Sequence, residues 1–296
     1  MSLTPKPRLP QELMETIIDL LSEDFSTLRA CALACWRLLP ACRKHIFGDL
    51  AIGSATTSNS GAIRNALKFF TTHPHITPYI TSLRLIDGDF QTSFHSRKAG
   101  WISREQSLST MLNELCNLKK LFIESTFHPI NWTHLPASTQ KAFRQLFDLR
   151  ILTHLALVMV DNFPIAAIRN LCSLQYLQMR CVSLKISEEH GSCNEYLPPR
   201  LRGLTIVDHG RSFSLLAVLL LDPAIAGLDF SGLLQLSITT YGEFDRYKED
   251  IAVINMLLQL SSDSLTELEL NPSLTCERSS LFFFGNKFTY PLGFSY

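Results

Sequence analysis

One six-residue pattern, L-x-x-L-x-L with isoleucine or methionine in some places, returns seven times along the chain. It stands at Ile80/Leu83/Leu85, Leu118/Leu121/Ile123, Leu152/Leu155/Leu157 and Leu174/Leu177/Met179. It returns at Leu201/Leu204/Ile206, Leu233/Leu236/Ile238 and Leu265/Leu268/Leu270. The steps between first positions are 38, 34, 22, 27, 32 and 32 residues, inside the span of roughly 20–50 residues that marks repeat architectures. A pattern that ends in alternation suits a short strand burying every second side chain. Stretches of helical period lie between the strands: Ile63, Leu67 and Phe70; Leu108, Met111, Leu112 and Leu115; Phe143, Leu146 and Phe147; Ile251, Ile254 and Leu258. Strands joined through helices run parallel, because a parallel pair needs a crossover where an antiparallel pair needs only a turn.

The expected architecture is therefore α/β: an irregular leucine-rich-repeat solenoid, a horseshoe with parallel strands inside and helices outside. The asparagine or cysteine usual after such a strand is found at Cys181 but not generally. A doubly wound enzyme domain is the competing architecture. It calls for longer apolar strands and a glycine-rich first turn, and among 13 glycines no G-x-G-x-x-G or G-x-x-x-x-G-K-[ST] occurs.

If the leucines of each L-x-L point inward, the residues between and beside them point to the concave side. That face gathers Arg84, Lys120, Phe122, His154, Tyr176, Gln178 and Arg180, followed by Thr205, Gln235, Ser237, Glu267 and Glu269. It runs from basic through aromatic and polar to acidic. The first seven are the candidate substrate-binding residues, since aromatic and arginine side chains are favoured at binding hot spots. An ordinary solvated strand face would look the same.

Ahead of the repeats, Leu9-Pro10-Gln11-Glu12-Leu13 opens a helix, with Pro10 in the first turn where its missing N–H costs nothing. Leu13, Ile17 and Leu21 recur every four residues beside Met14 and Ile18. Ser22-Glu23-Asp24 ends the helix, and Ser26 is the expected N-cap of a second carrying Leu28, Cys31, Ala32 and Cys35 on one side. Pro40 starts a third, through Arg43, Ile46 and Phe47. Three helices this short have little core of their own and need a partner or an adjoining domain.

These residues resemble the F-box motif, in the divergent form that heads many fungal leucine-rich proteins. The resemblance is carried by Leu9-Pro10, Glu12-Leu13, Ile17-Ile18, Leu21, Leu28, Cys31-Ala32-Leu33-Ala34-Cys35 and Arg43…Ile46-Phe47, about a seventh of the chain. It departs at one point: the family's tryptophan falls about where Leu38 stands, and here the tryptophan is Trp36. The resemblance implies docking to a Skp-family adaptor, which joins a cullin scaffold in an SCF-type ubiquitin ligase, while the rest of the chain holds an unidentified client protein. By matched position, Leu9, Pro10, Leu13, Ile17, Ile18 and Leu28 would lie at or near the adaptor. The alternative is a stand-alone interaction scaffold whose helices only seal the first repeat. The expected divisions are a docking module at 1–50, a linker at 51–62, the array at 63–275 and an atypical tail at 276–296.

Other classes find little support. With 27 basic and 27 acidic residues the net charge is zero, which argues against a broad nucleic-acid or anionic-membrane surface. The proline-bearing start is not a secretory signal, and the longest apolar run, Leu215 to Leu221, is far short of a membrane span. A cytoplasmic or nuclear protein with buried, reduced thiols is expected from its eight cysteines. His73-x-His75, Asp208-His209-Gly210 and Glu188-Glu189-His190 read as turn and loop residues, since no converging ligands or nucleophile accompany them. No catalytic residue, metal or cofactor is assigned, and the chain is not expected to be an enzyme. From Leu281 to Tyr296, aromatic residues crowd without period; this tail either folds back over the last repeat or marks a truncated chain.

Overall fold

The structure is a computed structural model describing residues 9–53, 61–88, 100–126, 128–186, 198–208, 221–222, 227–241 and 247–273. The aromatic tail and the two loop clusters around His190 and His209 lie outside them. Three helices come first: α1 (Gln11–Leu20), α2 (Phe25–Ala34) and α3 (Leu39–Phe47). Then follow β1 (Asp49–Gly53), α4 (Ala62–Thr72), β2 (Ser82–Asp87), α5 (Ser107–Asn113), β3 (Lys120–Ser125), β4 (Ile130–Asn131) and α6 (Ala137–Asp148). The remainder is β5 (His154–Pro164), α7 (Ile165–Arg169), β6 (Tyr176–Lys185), β7 (Gly203–Asp208), β8 (Gln235–Tyr241), α8 (Tyr247–Leu260) and β9 (Glu267–Ser273).

The nine strands among the described residues form one open, wholly parallel sheet in the order β1-β2-β3-β5-β6-β7-β8-β9, with β4 alongside β5. Leucine is a good helix former, so local preference does not make these strands. Burial at a period of two does. Leu83, Leu121, Leu155, Leu177, Leu204 and Leu236 align across the sheet as one column, and Leu85, Ile123, Leu157, Met179, Ile206 and Ile238 as a second. All twelve are buried, in one core with side chains of α4, α5, α6, α7 and α8. The helices thus cover the leucine face. In all seven patterns the last two positions fall on strands and keep register, and the first lies just ahead of the strand.

A second regularity binds the strand entries. The Gly48 carbonyl accepts from the N–H groups of Thr81 and Ser82, and the Thr81 carbonyl from Lys119 and Lys120. The arrangement repeats at Lys119, Thr153, Gln175, Arg202 and Leu234, each carbonyl receiving two successive N–H groups of the next strand. A carbonyl oxygen has two lone pairs, so one acceptor can hold two donors.

Several local expectations are corrected. The sheet starts at Asp49, so the region read as linker from residue 51 begins inside a strand. Gly53 ends that strand at φ 109°, and a side chain there would meet the Ile86 carbonyl. Asp24, not Ser26, caps α2: its carboxylate accepts from Ser26 and Thr27, because the turn closes two residues earlier than expected. These bonds, led by that from the Thr27 hydroxyl, lower its pKa to about 2. On α8 the inward residues are Val253 and Leu257, with Ile254 and Leu258 half-buried beside them, while Ile251 faces out. The thiols are not generally buried: of the six described, only Cys42 is, and Cys116 is exposed. Cys181 does not occupy the buried position after its strand. It takes a left-handed φ of 53°, as Met159 does at 55° in the neighbouring strand, and the chain then turns Val160 and Val182 into register.

Beyond that corner, Phe163 is fully buried against Trp132, at 4.7 Å between ring centroids, and Phe147, at 6.2 Å. Truncation there leaves a cavity the rigid sheet cannot close. Phe163→Ala is expected to cost about 3–5 kcal/mol, read as a lower midpoint in urea denaturation, whereas Leu33→Ala, at a site 91% exposed, should leave the midpoint nearly unchanged.

Candidate functional site

Two surfaces carry the candidate residues. The first is the face of the sheet opposite the leucine columns. Because register is kept, its side chains also form columns. One runs Ser82, Lys120, His154, Tyr176, Gly203, Gln235, Glu267; the next runs Arg84, Phe122, Ala156, Gln178, Thr205, Ser237, Glu269. A depression of about 330 Å³ spans this face from Phe122 to Glu269.

At its aromatic end the His154 and Tyr176 rings stack, 4.4 Å between centroids and 18° apart. Tyr176 lies against Gly203, where an added Cβ would come within 2.6 Å of its Cδ1. The absent side chain on β7 is what lets the ring lie down. The Thr153 hydroxyl sits 2.8 Å from His154 Nδ1 and donates to the Lys119 carbonyl at 3.1 Å. Burial, followed by the charge of Lys120, lowers the His154 pKa from 6.5 to about 4, so the ring is uncharged near neutrality.

The basic residues stand apart from this hollow. The Arg84 guanidinium lies 4.9 Å from the Phe122 ring centroid, and its Nε is 3.7 Å from a Glu124 carboxylate oxygen. Burial raises the Glu124 pKa, opposed by the charges of Arg84 and Arg180. Of the seven candidates, Phe122, His154, Tyr176 and Gln178 line the depression, and Arg84, Lys120 and Arg180 do not. At the other end Glu267 accepts from Gln235 at 3.0 Å, and Glu269 from Ser237 at 2.8 Å and from Asn271 at 2.8 Å. Ala156 and Gly203 also line the hollow and were missed in the sequence. Their signal was present: each sits beside a column leucine at the place that His154 or Gln178 takes on neighbouring strands.

The second surface is on the N-terminal helices. Ile18, Leu28 and Cys42 form their core, with Leu21, Cys31, Ala32, Leu38, Ala41 and Ile46 packed around it. Ile18 and Leu28 are therefore corrected from contact residues to buried supports, since no partner can reach them. Leu9, Leu13 and Ile17 are about half exposed, Leu20 is 82% exposed, and Pro10 is exposed at the α1 N-cap. Spacings of four and three put Leu13, Ile17 and Leu20 on one stripe of α1, and Leu9 lies just ahead of the helix, before the Pro10 cap. The Gln11 side chain donates to the Arg37 carbonyl at 3.2 Å, which sets the start of this stripe beside the turn holding Trp36, itself 78% exposed.

Among the described residues no three His, Cys, Asp or Glu side chains are grouped to hold a metal ion, and no helix is long and apolar enough to cross a membrane. No protein-family model matches the chain, and no curated protein matches it.

The depressed His154 pKa has a stability consequence. Between pH 6.5 and about 4 the unfolded chain holds this proton and the folded chain does not, so stability is complete above that window and declines as pH falls through it. Urea midpoints of the wild type should fall more steeply from pH 7 to 4 than those of His154→Gln. Equal slopes, or a ring titrating near 6.5 by NMR, would show that the stack does not exclude the charged form.

Proposed function

We propose that the chain is a substrate receptor of an SCF-type ubiquitin ligase, with an F-box-like module set on a leucine-rich-repeat solenoid. In this reading α1–α3 dock a Skp-family adaptor and through it a cullin, and the outward sheet face holds a client protein. The work is recognition, without catalysis, in the cytoplasm or nucleus.

The observation that carries the reading is the apolar stripe of Leu13, Ile17 and Leu20 on α1, with Leu9 exposed just ahead of it. The module already has a closed core in Ile18, Leu28 and Cys42, so the stripe is surplus to its folding. Completing the burial of a half-exposed leucine contributes about 1 kcal/mol, and several such side chains in line are the anchors of a helix-face interface. Trp36 adds a further large apolar surface beside the stripe. It is displaced in sequence from the family's tryptophan, but it is accessible, whereas Leu38 is part of the module core. The solenoid reading is supported by the seven in-register strands, the recurring strand-entry carbonyl and the helices laid over the leucine columns.

One observation favours the alternative, a stand-alone scaffold with a sealing helical cap. The Gly48 carbonyl that ends the module holds Thr81 and Ser82 as later carbonyls hold later strands. The module is in that sense the first member of the array. Sealing and docking use different faces of the helices, and a binding measurement separates them.

Co-expression and pull-down with a Skp-family adaptor is that measurement. The wild type should form a complex, and Leu13→Asp and Ile17→Asp should each weaken it at least tenfold while circular dichroism stays native. Ile18→Asp should instead unfold the module. No complex with the wild type, or undiminished binding by folded Leu13→Asp and Ile17→Asp, overturns docking and leaves the scaffold.

A further inference from the structure

The outward face of the sheet is graded in side-chain size and charge, and the grading specifies what can lie on it. At one end of the depression stand the rings of Phe122, His154 and Tyr176. Between the rings and β9 stand Gly203, Thr205 and Ser237, all small, and Gln235, the one long side chain there, which is turned toward Glu267 by a hydrogen bond. At the other end Glu267 and Glu269 are exposed on β9. Their partners Gln235, Ser237 and Asn271 are neutral donors. The ion pairs among the described residues lie elsewhere, at Asp19, Glu124 and Asp229. Among the described residues no cation is paired with either carboxylate, and both line an aromatic-walled hollow.

We infer that this hollow takes an extended segment of a client protein bearing an aromatic or large apolar side chain and, about four residues away, a lysine or arginine. The inference rests on the client-binding reading given above and names the chemistry of that client. The spacing comes from the sheet. From Tyr176 on β6 to Glu267 on β9 there are three strand intervals, about 14 Å at roughly 4.8 Å each, which an extended chain rising about 3.4 Å per residue spans in about four residues.

Ring and carboxylate play different parts. Stacked His154 and Tyr176 offer a rigid apolar wall, and such rings lose little freedom on binding. Glu267 and Glu269 give charge-assisted hydrogen bonds to an ammonium or a guanidinium, the latter able to bond both oxygens of a carboxylate. Direction is set as well. Arg84, over the Phe122 ring, and Lys120, on the same strand as that ring, place positive charge at the ring end, offset in part by Glu124, so a basic side chain is favoured at β9. The small residues between leave room for the intervening backbone.

Panning a random dodecapeptide phage library on the purified full chain tests this without any adaptor. Glu267→Lys/Glu269→Lys is the charge-reversed target, and Glu267→Gln/Glu269→Gln the isosteric one that keeps the fold if reversal does not. Enriched peptides should pair a basic residue with an aromatic or large apolar residue four places away. By fluorescence anisotropy they should lose at least tenfold in affinity on the isosteric variant, and on Tyr176→Ala. The reversed target should select acidic residues instead. No enrichment on the wild type, enrichment of acidic or uncharged sequences, or affinity unchanged by the isosteric variant overturns the inference. Adaptor binding is read separately: peptide selection without an adaptor complex removes docking alone, and an adaptor complex without peptide selection removes this inference alone.

Discussion

Everything in the sheet depends on two columns of aliphatic side chains kept in register through parallel strands. A strand shows its side chains alternately to its two faces, so a slip of one residue would turn every column leucine outward. The columns from Leu83 to Leu236 and from Leu85 to Ile238 are buried along their length, and that burial fixes the register. The strand-entry carbonyls fix it a second time, each holding two N–H groups of the following strand at one height. Buried backbone groups must find partners, and here the same bonds also set where each strand begins. The outward face follows without further choice. Once Leu155 and Leu157 point in, His154 and Ala156 point out, and the candidate surface is the complement of the core.

The crossovers vary where the ladder does not. Steps between strands range from 22 to 38 residues, while the strand-entry bonds are the same at each. β5 and β6 continue past the ladder as a second parallel segment, Val160 paired with Val182 and Phe163 with Leu184. The chain reaches it through left-handed residues at Met159, Asn162 and Cys181. A left-handed residue other than glycine costs about 1–2 kcal/mol. Burial of Val160 and Phe163, both fully covered, offsets that cost. The polar groups at this bend bond one another: the Asn162 N–H donates to the Ser183 hydroxyl at 3.0 Å, and that hydroxyl to Asp161 at 3.1 Å. A change of direction inside the fold is thus stabilised by packing on one side and by closed hydrogen bonds on the other.

What was legible in the sequence was whatever periodicity controls. The seven strands, their parallel sense and most of the outward residues follow from spacing, because the alternation that buries Leu204 also exposes Thr205. What was not legible turned on three dimensions. β1 escaped because Asp49–Gly53 carries only two aliphatic residues of the pattern, and it is held by Gly48 and β2 more than by its own composition. Cys181 was misplaced because the turn inserts its left-handed residue one position before the inward one, and a one-letter pattern has no φ. Gly203 was overlooked because a missing side chain carries no chemical label, though the ring of Tyr176 needs its absence. On α8 the period was read correctly, but its phase was not, since Ile251 and Val253 are both aliphatic and only packing chooses between them.

The same ambiguity of phase bears on the N-terminal helices. Leu13, Ile17 and Leu21 looked like one face, yet α1 divides them, with Leu21 against the core and Leu13 and Ile17 in the open. An α-helix that turns 100° per residue can carry two adjacent apolar stripes. Ile18 and Leu21 on this helix close a module of three short helices over Leu28 and Cys42. The stripe of Leu13, Ile17 and Leu20 is the one that the internal core leaves over. A helix that only sealed the sheet would place its second stripe against the first strands. Here it is α3 that meets β1 and the 3-10 turn at Pro74–Tyr79, while the second stripe of α1 remains at the surface. The division of labour among the helices, α3 holding the sheet and α1 offering an apolar edge, is why docking remains the better account of this module than sealing alone.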